Sequence, residues 1–165
     1  MAIEKFPDIY DLKILNRIIE NPEMPLSEIG KYALIASAPS ISKRKKKLFS
    51  SGIIKRLVAL LNYENLGFKY PVIIFITAKF GENYIVNLGE KLKNLPGTIW
   101  IYNISGNIDF IIYAVYRDRT DYLRTLDIMT SYNEIERTDT RQLHRIIKDM
   151  DFQTLTNSMI HYYNK

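Results

Sequence analysis

Five consecutive cations, Lys43, Arg44, Lys45, Lys46 and Lys47, are the residues best equipped to do chemistry here, and that chemistry is neutralisation of a polyanion. They fall in a segment whose spacing predicts a helix over residues 37–50. Ser37 is a start signal able to accept from first-turn amides, and Pro39 is tolerated in the first turn. Ile41 and Leu48 lie two turns apart on one face, while Lys43, Lys46 and Lys47 point roughly the opposite way. Such a helix is gripped on one side and cationic on the other. Ser37, Ser40, Lys43 and Arg44, near its N-terminus, are placed for phosphates or base edges. Arg44 alone joins a planar fork to the reach for bidentate guanine contact. Lys46, Lys47, Lys55 and Arg56 read as phosphate clamps. Lys45 falls about 40° from Ile41 on the wheel, on the apolar side, so it must snorkel or the helix must rotate.

A second constellation is the turn Gly106–Asn107–Ile108–Asp109. It reads either as a tight turn with Asp109 capping backbone amides, or as a ligand contact. In the second case the carboxylate pairs with an α-amino group, while free amides and the Thr138 and Thr140 hydroxyls hold its carboxylate. Catalysis finds little support. The two histidines, His144 and His161, stand in no pattern with acids at metal-ligand spacing, there is no cysteine, and no P-loop or nucleophile elbow occurs. No catalytic residue, metal or cofactor is expected.

Charge placement narrows the partner. Residues 1–62 carry eleven Lys/Arg against six acids, whereas residues 63–165 carry twelve of each. The whole excess of +5 lies in the first third, which is therefore the candidate polyanion binder. No apolar run approaches the ~18 residues a membrane helix needs, and the acidic start does not resemble a signal peptide. A soluble, cytoplasmic protein is expected. RNA fits less well than duplex DNA, because single-strand readers use aromatic platforms and only Tyr32 and Phe49 adjoin the basic run.

The elements that must position these residues follow from periodicity. Asp8 caps a helix with Ile9, Leu12, Leu15 and Ile19 at helical spacing, closed by Pro22 and Pro25. A short helix over 26–33 and a tight connection precede the basic helix. Helix, helix, turn, helix is the helix-turn-helix order. An extended aliphatic segment, 54–61, leads to a strand at 72–76, a helix at 83–95, strands at 98–104 and 108–116, a helix at 120–131 and a strand at 136–147. That order is β-α-β-β-α-β, the ferredoxin-like arrangement. Phe152, Leu155, Met159 and Tyr162 fall at helical spacing and predict a terminal helix. The fold class is α+β: an N-terminal helix-turn-helix domain (1–55), a linking strand and loop (56–69), a ferredoxin-like βαββαβ domain (70–148) and a helical tail (149–165).

The chain resembles the Lrp/AsnC family, the feast/famine regulators of bacteria and archaea, over about residues 6–148. Asp8, Asp11, Ile14 and Leu15 fit its opening L-D-x-x-D-x-x-I-L, with Pro7 in place of the leading Leu. Ser37, Ile41, Arg44, Lys46, Lys47, Leu48, Gly52 and Ile54 match its reader helix. Lys45 replaces an aliphatic residue there and Phe49 a Glu. The segment Ala59–Asn62 to Leu66–Gly67 is similar to its linking strand. Gly106–Phe110 resembles its G-x-x-D-[YF] hairpin, and Arg137–Thr140 its R-T-x-T strand.

The resemblance implies a sequence-specific regulator of transcription that binds double-stranded DNA. It further implies a homodimer joined through the ferredoxin-like domains, further assembly into higher oligomers, and an amino acid or similar effector at Gly106, Asn107, Asp109, Thr138 and Thr140. The dimer predicts a pseudo-palindromic operator. Two rivals are an architectural DNA binder with little specificity and a metabolite-binding protein whose basic helix is incidental.

Overall fold

The computed structural model describes residues 6–163. The chain divides into two compact units: Met1–Ala59 together with Lys148–Lys165, and Leu60–Ile147.

In the first unit, α1 (Ile9–Glu20) begins with a reciprocal cap: the Asp11 amide donates to Asp8 Oδ1 at 2.8 Å, and the Asp8 amide to Asp11 Oδ2 at 3.0 Å. Helix α2 (Leu26–Ala33) ends at Leu34, whose φ of 59° turns the chain left-handed, and the Ile35 amide closes the turn on the Gly30 carbonyl at 2.9 Å. Only glycine suits position 30, because a Cβ there would lie 2.6 Å from the Ile35 carbonyl oxygen. Helix α3 (Ala38–Ser50) follows. The three helices close on Ile14, Ile18, Ile29, Ala33, Ile41 and Leu48. Ser37 occupies the N-cap position but makes no side-chain cap. Pro39, at the second helical position, has no N–H to donate to it. The Ser37 carbonyl instead accepts from the Ile41 amide at 3.2 Å.

The tail is helical, α6 (Phe152–Tyr163), but with its faces exchanged relative to the periodicity. Thr156 is buried, while Phe152, Leu155 and Tyr162 are exposed. A buried polar partner explains the exchange: Asn16 of α1 has no exposed surface, and its amide donates to Thr156 Oγ1 at 2.8 Å and Asn157 Oδ1 at 2.9 Å. Without these acceptors the buried amide would be left unpaired, at a cost of about 1–3 kcal/mol. The Tyr163 hydroxyl adds a bond to the Pro7 carbonyl at 2.8 Å. Residues 164–165 of the expected tail lie outside the described residues.

The second unit holds β1 (Tyr70–Ala78), α4 (Tyr84–Leu92), β2 (Thr98–Asn103), β3 (Phe110–Tyr116), α5 (Arg119–Thr130) and β4 (Ile135–Gln142). The strands form one antiparallel sheet in the order β2-β3-β1-β4. Alternation sends Val72, Ile74, Ile76, Phe110, Ile112 and Ala114 to the face packed with Leu88, Leu92, Tyr122 and Met129. The other face carries Ile73, Phe75, Ile111 and an aromatic group in which Trp100 stacks 5.0 Å from Tyr102 and 5.7 Å from Tyr113. The last strand ends five residues earlier than its composition suggests. Its ladder stops where Leu143 donates to the carbonyl of Pro71, which has no N–H to return. The aliphatic segment 54–61 forms no strand, and Leu57, Val58, Leu60 and Leu61 are exposed.

Candidate nucleic-acid interface

The basic run sorts into distinct environments once α3 is anchored by Ile41 and Leu48. Ser37, Ser40, Lys43, Lys46 and Lys47 are exposed on α3, and Lys55 and Arg56 are exposed beyond it. Among the described residues, Lys43, Lys46, Lys55 and Arg56 take part in no ion pair. Lys47 Nζ lies 4.0 Å above the Phe6 ring centre, a cation–π contact that leaves its charge near the surface. Lys45 is half-buried and snorkels: its Nζ reaches to 3.5 Å from the Pro22 carbonyl oxygen in the α1–α2 loop.

Arg44 is different. Its Nη1 donates to Asp8 Oδ2 at 2.8 Å and to Asp11 Oδ1 at 2.7 Å, so one cation is shared between two carboxylates. The Asp11 side chain is only 3% exposed. Burial pushes the Asp8 carboxyl up, but the Asp11 amide and the Arg44 guanidinium outweigh it and hold Asp8 below its ordinary value. Burial likewise lowers Arg44, and the two carboxylates more than reverse it. These groups, with Phe6, Ser40, Lys43 and Lys47, line a cleft of about 280 Å³ with an acidic floor and a basic rim. Asp8 and Asp11 are legible in sequence as a helix cap. That they are also the counter-ions of a residue more than thirty positions away leaves no signal in local spacing.

The second constellation is dispersed. Gly106 and Asn107 are exposed in the β2–β3 connection. The Asp109 amide donates to the Ile76 carbonyl at 2.9 Å, and its Oδ2 accepts from the Ala78 amide at 2.8 Å, extending the β1–β3 ladder by a side chain. Its Oδ1 accepts from the Tyr84 hydroxyl at 3.3 Å. Thr138 and Thr140 pair with Ile76 and Ile74 from the opposite edge of β1, and Thr140 Oγ1 accepts from the Tyr122 hydroxyl at 2.9 Å. One strand therefore separates the Gly106–Asp109 group from the two threonines, about 10 Å across the sheet.

The profile of the Lrp/AsnC ligand binding domain matches residues 72–151. An HTH-type transcriptional regulator of Pyrococcus furiosus is 31% identical over 153 residues, spanning 88% of this chain and 96% of its own. The HTH-type transcriptional regulator FL11 of the same organism is 28% identical over 142 residues, spanning 86% and 92%. Among solved structures, Escherichia coli AsnC superposes with a TM-score of 0.81 at 22% identity, covering 90% of this chain and 99% of AsnC. A transcriptional regulator of Neisseria meningitidis in complex with L-Met gives a TM-score of 0.81 at 20% identity, covering 90% and 98%. The chain belongs to the Lrp/AsnC family and is a DNA-binding, HTH-type transcriptional regulator.

Proposed function

We propose that the protein is a sequence-specific regulator in which α1–α3 form a helix-turn-helix domain, residues 70–148 form a ferredoxin-like effector and dimerisation domain, and α3 enters the major groove of double-stranded DNA. The observation that carries this is the exposure of Ser40, Lys43, Lys46 and Lys47 on a helix whose opposite side is fastened by Ile41 and Leu48. Ser37, Ser40 and Lys43 meet base edges and nearby phosphates. Lys46, Lys47, Lys55 and Arg56 meet the backbone. The sheet face opposite the helices, with Tyr102 exposed and Trp100 and Phe75 half-buried, supports a homodimer joined through the second unit, with higher assembly built from dimers. Two reader helices related by a two-fold axis then require a pseudo-palindromic operator.

The L-Met complex of the Neisseria relative supports an amino acid as the effector class. With Thr138 and Thr140 separated from Gly106, Asn107 and Asp109 by β1, a ligand touching both groups draws at least one of them from a second copy. The protein acts by binding, without catalysis, in the cytoplasm, where its DNA is.

Selection from random duplex DNA followed by footprinting tests the reading: an enriched two-fold-symmetric site is expected. Protection with no sequence preference would instead establish an architectural binder, the reading favoured by α3 having its single arginine engaged by carboxylates.

A further inference from the structure

We infer that Arg44 is a positioning residue of the reader helix and not one of its DNA contacts, an inference that rests on the reading of α3 proposed above. Two observations carry it. The guanidinium nitrogen Nη1 is occupied by Asp8 and Asp11 at 2.8 and 2.7 Å, in a cleft whose floor is the nearly buried Asp11 carboxylate. Both carboxylates also close the reciprocal cap of α1, so they cannot follow Arg44 outward without uncapping that helix.

Withdrawing Arg44 to a guanine or a phosphate would leave two carboxylates facing a polyanion, one of them almost without water. Holding it in place does the reverse. One cation neutralises half the charge of two acids that would otherwise repel the DNA beside Ser40 and Lys43. The bridge runs from the middle of α3 to the first turn of α1, so it fixes the rotation of α3 about its own axis. That rotation decides which side chains face outward. Of the five consecutive cations, then, Lys43, Lys46 and Lys47 face the nucleic acid, Lys45 turns to the Pro22 carbonyl, and the arginine sets their aim. Base reading is left to Ser37, Ser40 and Lys43, which lack a planar fork, so a bidentate arginine–guanine contact is not expected from α3.

The test compares Arg44→Gln, Arg44→Lys, Asp11→Asn and the double variant Asp11→Asn/Arg44→Gln in the full chain. Affinity for the wild-type-selected operator is measured across a salt series, with far-UV circular dichroism to confirm folding. Asparagine keeps the acceptor needed by the α1 cap while removing the charge. Positioning predicts that Arg44→Gln and Asp11→Asn each weaken binding by about tenfold, the order set by losing a charge-assisted bond. The salt slope stays at the wild-type value, the double variant is no weaker than either single, and Arg44→Lys recovers part of the loss.

A direct contact predicts otherwise: Arg44→Gln flattens the slope by about 1.8 for two protomers, and Asp11→Asn tightens binding by freeing the arginine. Either result, or unchanged affinity in Arg44→Gln, overturns the inference. Should Arg44→Gln fail to fold, Asp11→Asn and Arg44→Lys decide by the same signs. Loss of binding by the wild-type chain itself would overturn the DNA reading. Binding that depends on Lys43 and Lys46 but lacks the Arg44 pattern would overturn this inference alone.

Discussion

Asn16 and Thr156, 140 positions apart in the chain, share a 2.8 Å hydrogen bond in a site where Asn16 has no exposed surface and Thr156 only 2%. This pair joins α6 to α1 and selects which face of α6 is inward. Thr156→Val keeps the shape and removes the acceptor, leaving a buried amide with one partner fewer. A loss of about 1–2 kcal/mol in unfolding free energy is expected. The double variant Asn16→Leu/Thr156→Val should be more stable than the sum of the two singles implies. Urea unfolding of the four proteins checks this, and strict additivity would show that the bond is not made.

The turn before α3 supplies a sharper prediction. Gly30→Ala puts a Cβ within 2.6 Å of the Ile35 carbonyl oxygen and 2.7 Å of Ile41 Cδ1, so the α2–α3 connection must open. Strain of about 1–3 kcal/mol is expected, together with weakened operator binding. Gly52→Ala, at a positive φ of 76° that Gly30 does not share but with open space around it, should cost less and leave binding nearly intact. Equal effects in thermal melts and binding isotherms would remove the argument from close approach.

Acid should unfasten the Asp8–Arg44–Asp11 cluster. The Asp8 carboxyl titrates below its ordinary value of 3.8 in the folded protein. A group depressed on folding contributes stability that is complete above its unfolded value and is lost as pH falls through its folded one. Wild-type stability should therefore fall from roughly pH 5 downward, and more gently in Arg44→Gln, where the main charge partner is gone. Parallel acid limbs for the two proteins in urea titrations would contradict this.

In the second unit, Asp109→Ala removes the acceptor of the Ala78 amide and of the Tyr84 hydroxyl together. A cost of about 1–3 kcal/mol is expected, with Tyr84→Phe nearer 0.5–1 kcal/mol. If an amino-acid effector also contacts Asp109, Asp109→Asn should abolish its thermal stabilisation of the protein while losing little intrinsic stability. Retained stabilisation by the same amino acid would place the ligand elsewhere.

Lys45 and Lys43 differ by two positions and should differ in effect. Lys43→Ala removes an exposed, unpaired cation and should flatten the salt dependence of binding by about 0.9 per protomer. Lys45→Leu removes a cation turned toward the Pro22 carbonyl and supplies an apolar group to a half-buried position. Its slope should stay close to the wild-type one.

What could be read without coordinates was whatever is periodic or local. Ile41 and Leu48 two turns apart announce α3 and its inward face. Asp8 before an apolar repeat announces the start of α1, whose buried face is Leu12, Ile14 and Ile18, and Gly106 between two aromatic strands announces a turn. What could not be read was pairing across distance. Arg44 was the natural guanine reader on reach and shape alone, until Asp8 and Asp11 proved to be within 3 Å. The terminal helix itself was legible, but which face of α6 turns inward was not, for a related reason. Hydrophobic spacing favours Phe152, Leu155 and Tyr162 as the inward face, but one buried asparagine on α1 demanded a polar partner and reversed it. The segment 54–61 has the composition of a strand, yet no neighbouring strand within the chain pairs with it.

The return of the chain to its first unit has a consequence for how the protein is made. Helices α1 to α3 leave the ribosome first, and Thr156 follows only after all of Leu60–Ile147 has been synthesised. Until then Asn16 has no Thr156 or Asn157 to receive its amide. A nascent chain thus carries its basic helix before the α6 clasp on α1 can close, and it completes the sheet before it completes the unit that holds the cations. Premature termination just after β4 would release a chain with every predicted DNA contact present and the Asn16 amide on α1 without its α6 acceptors.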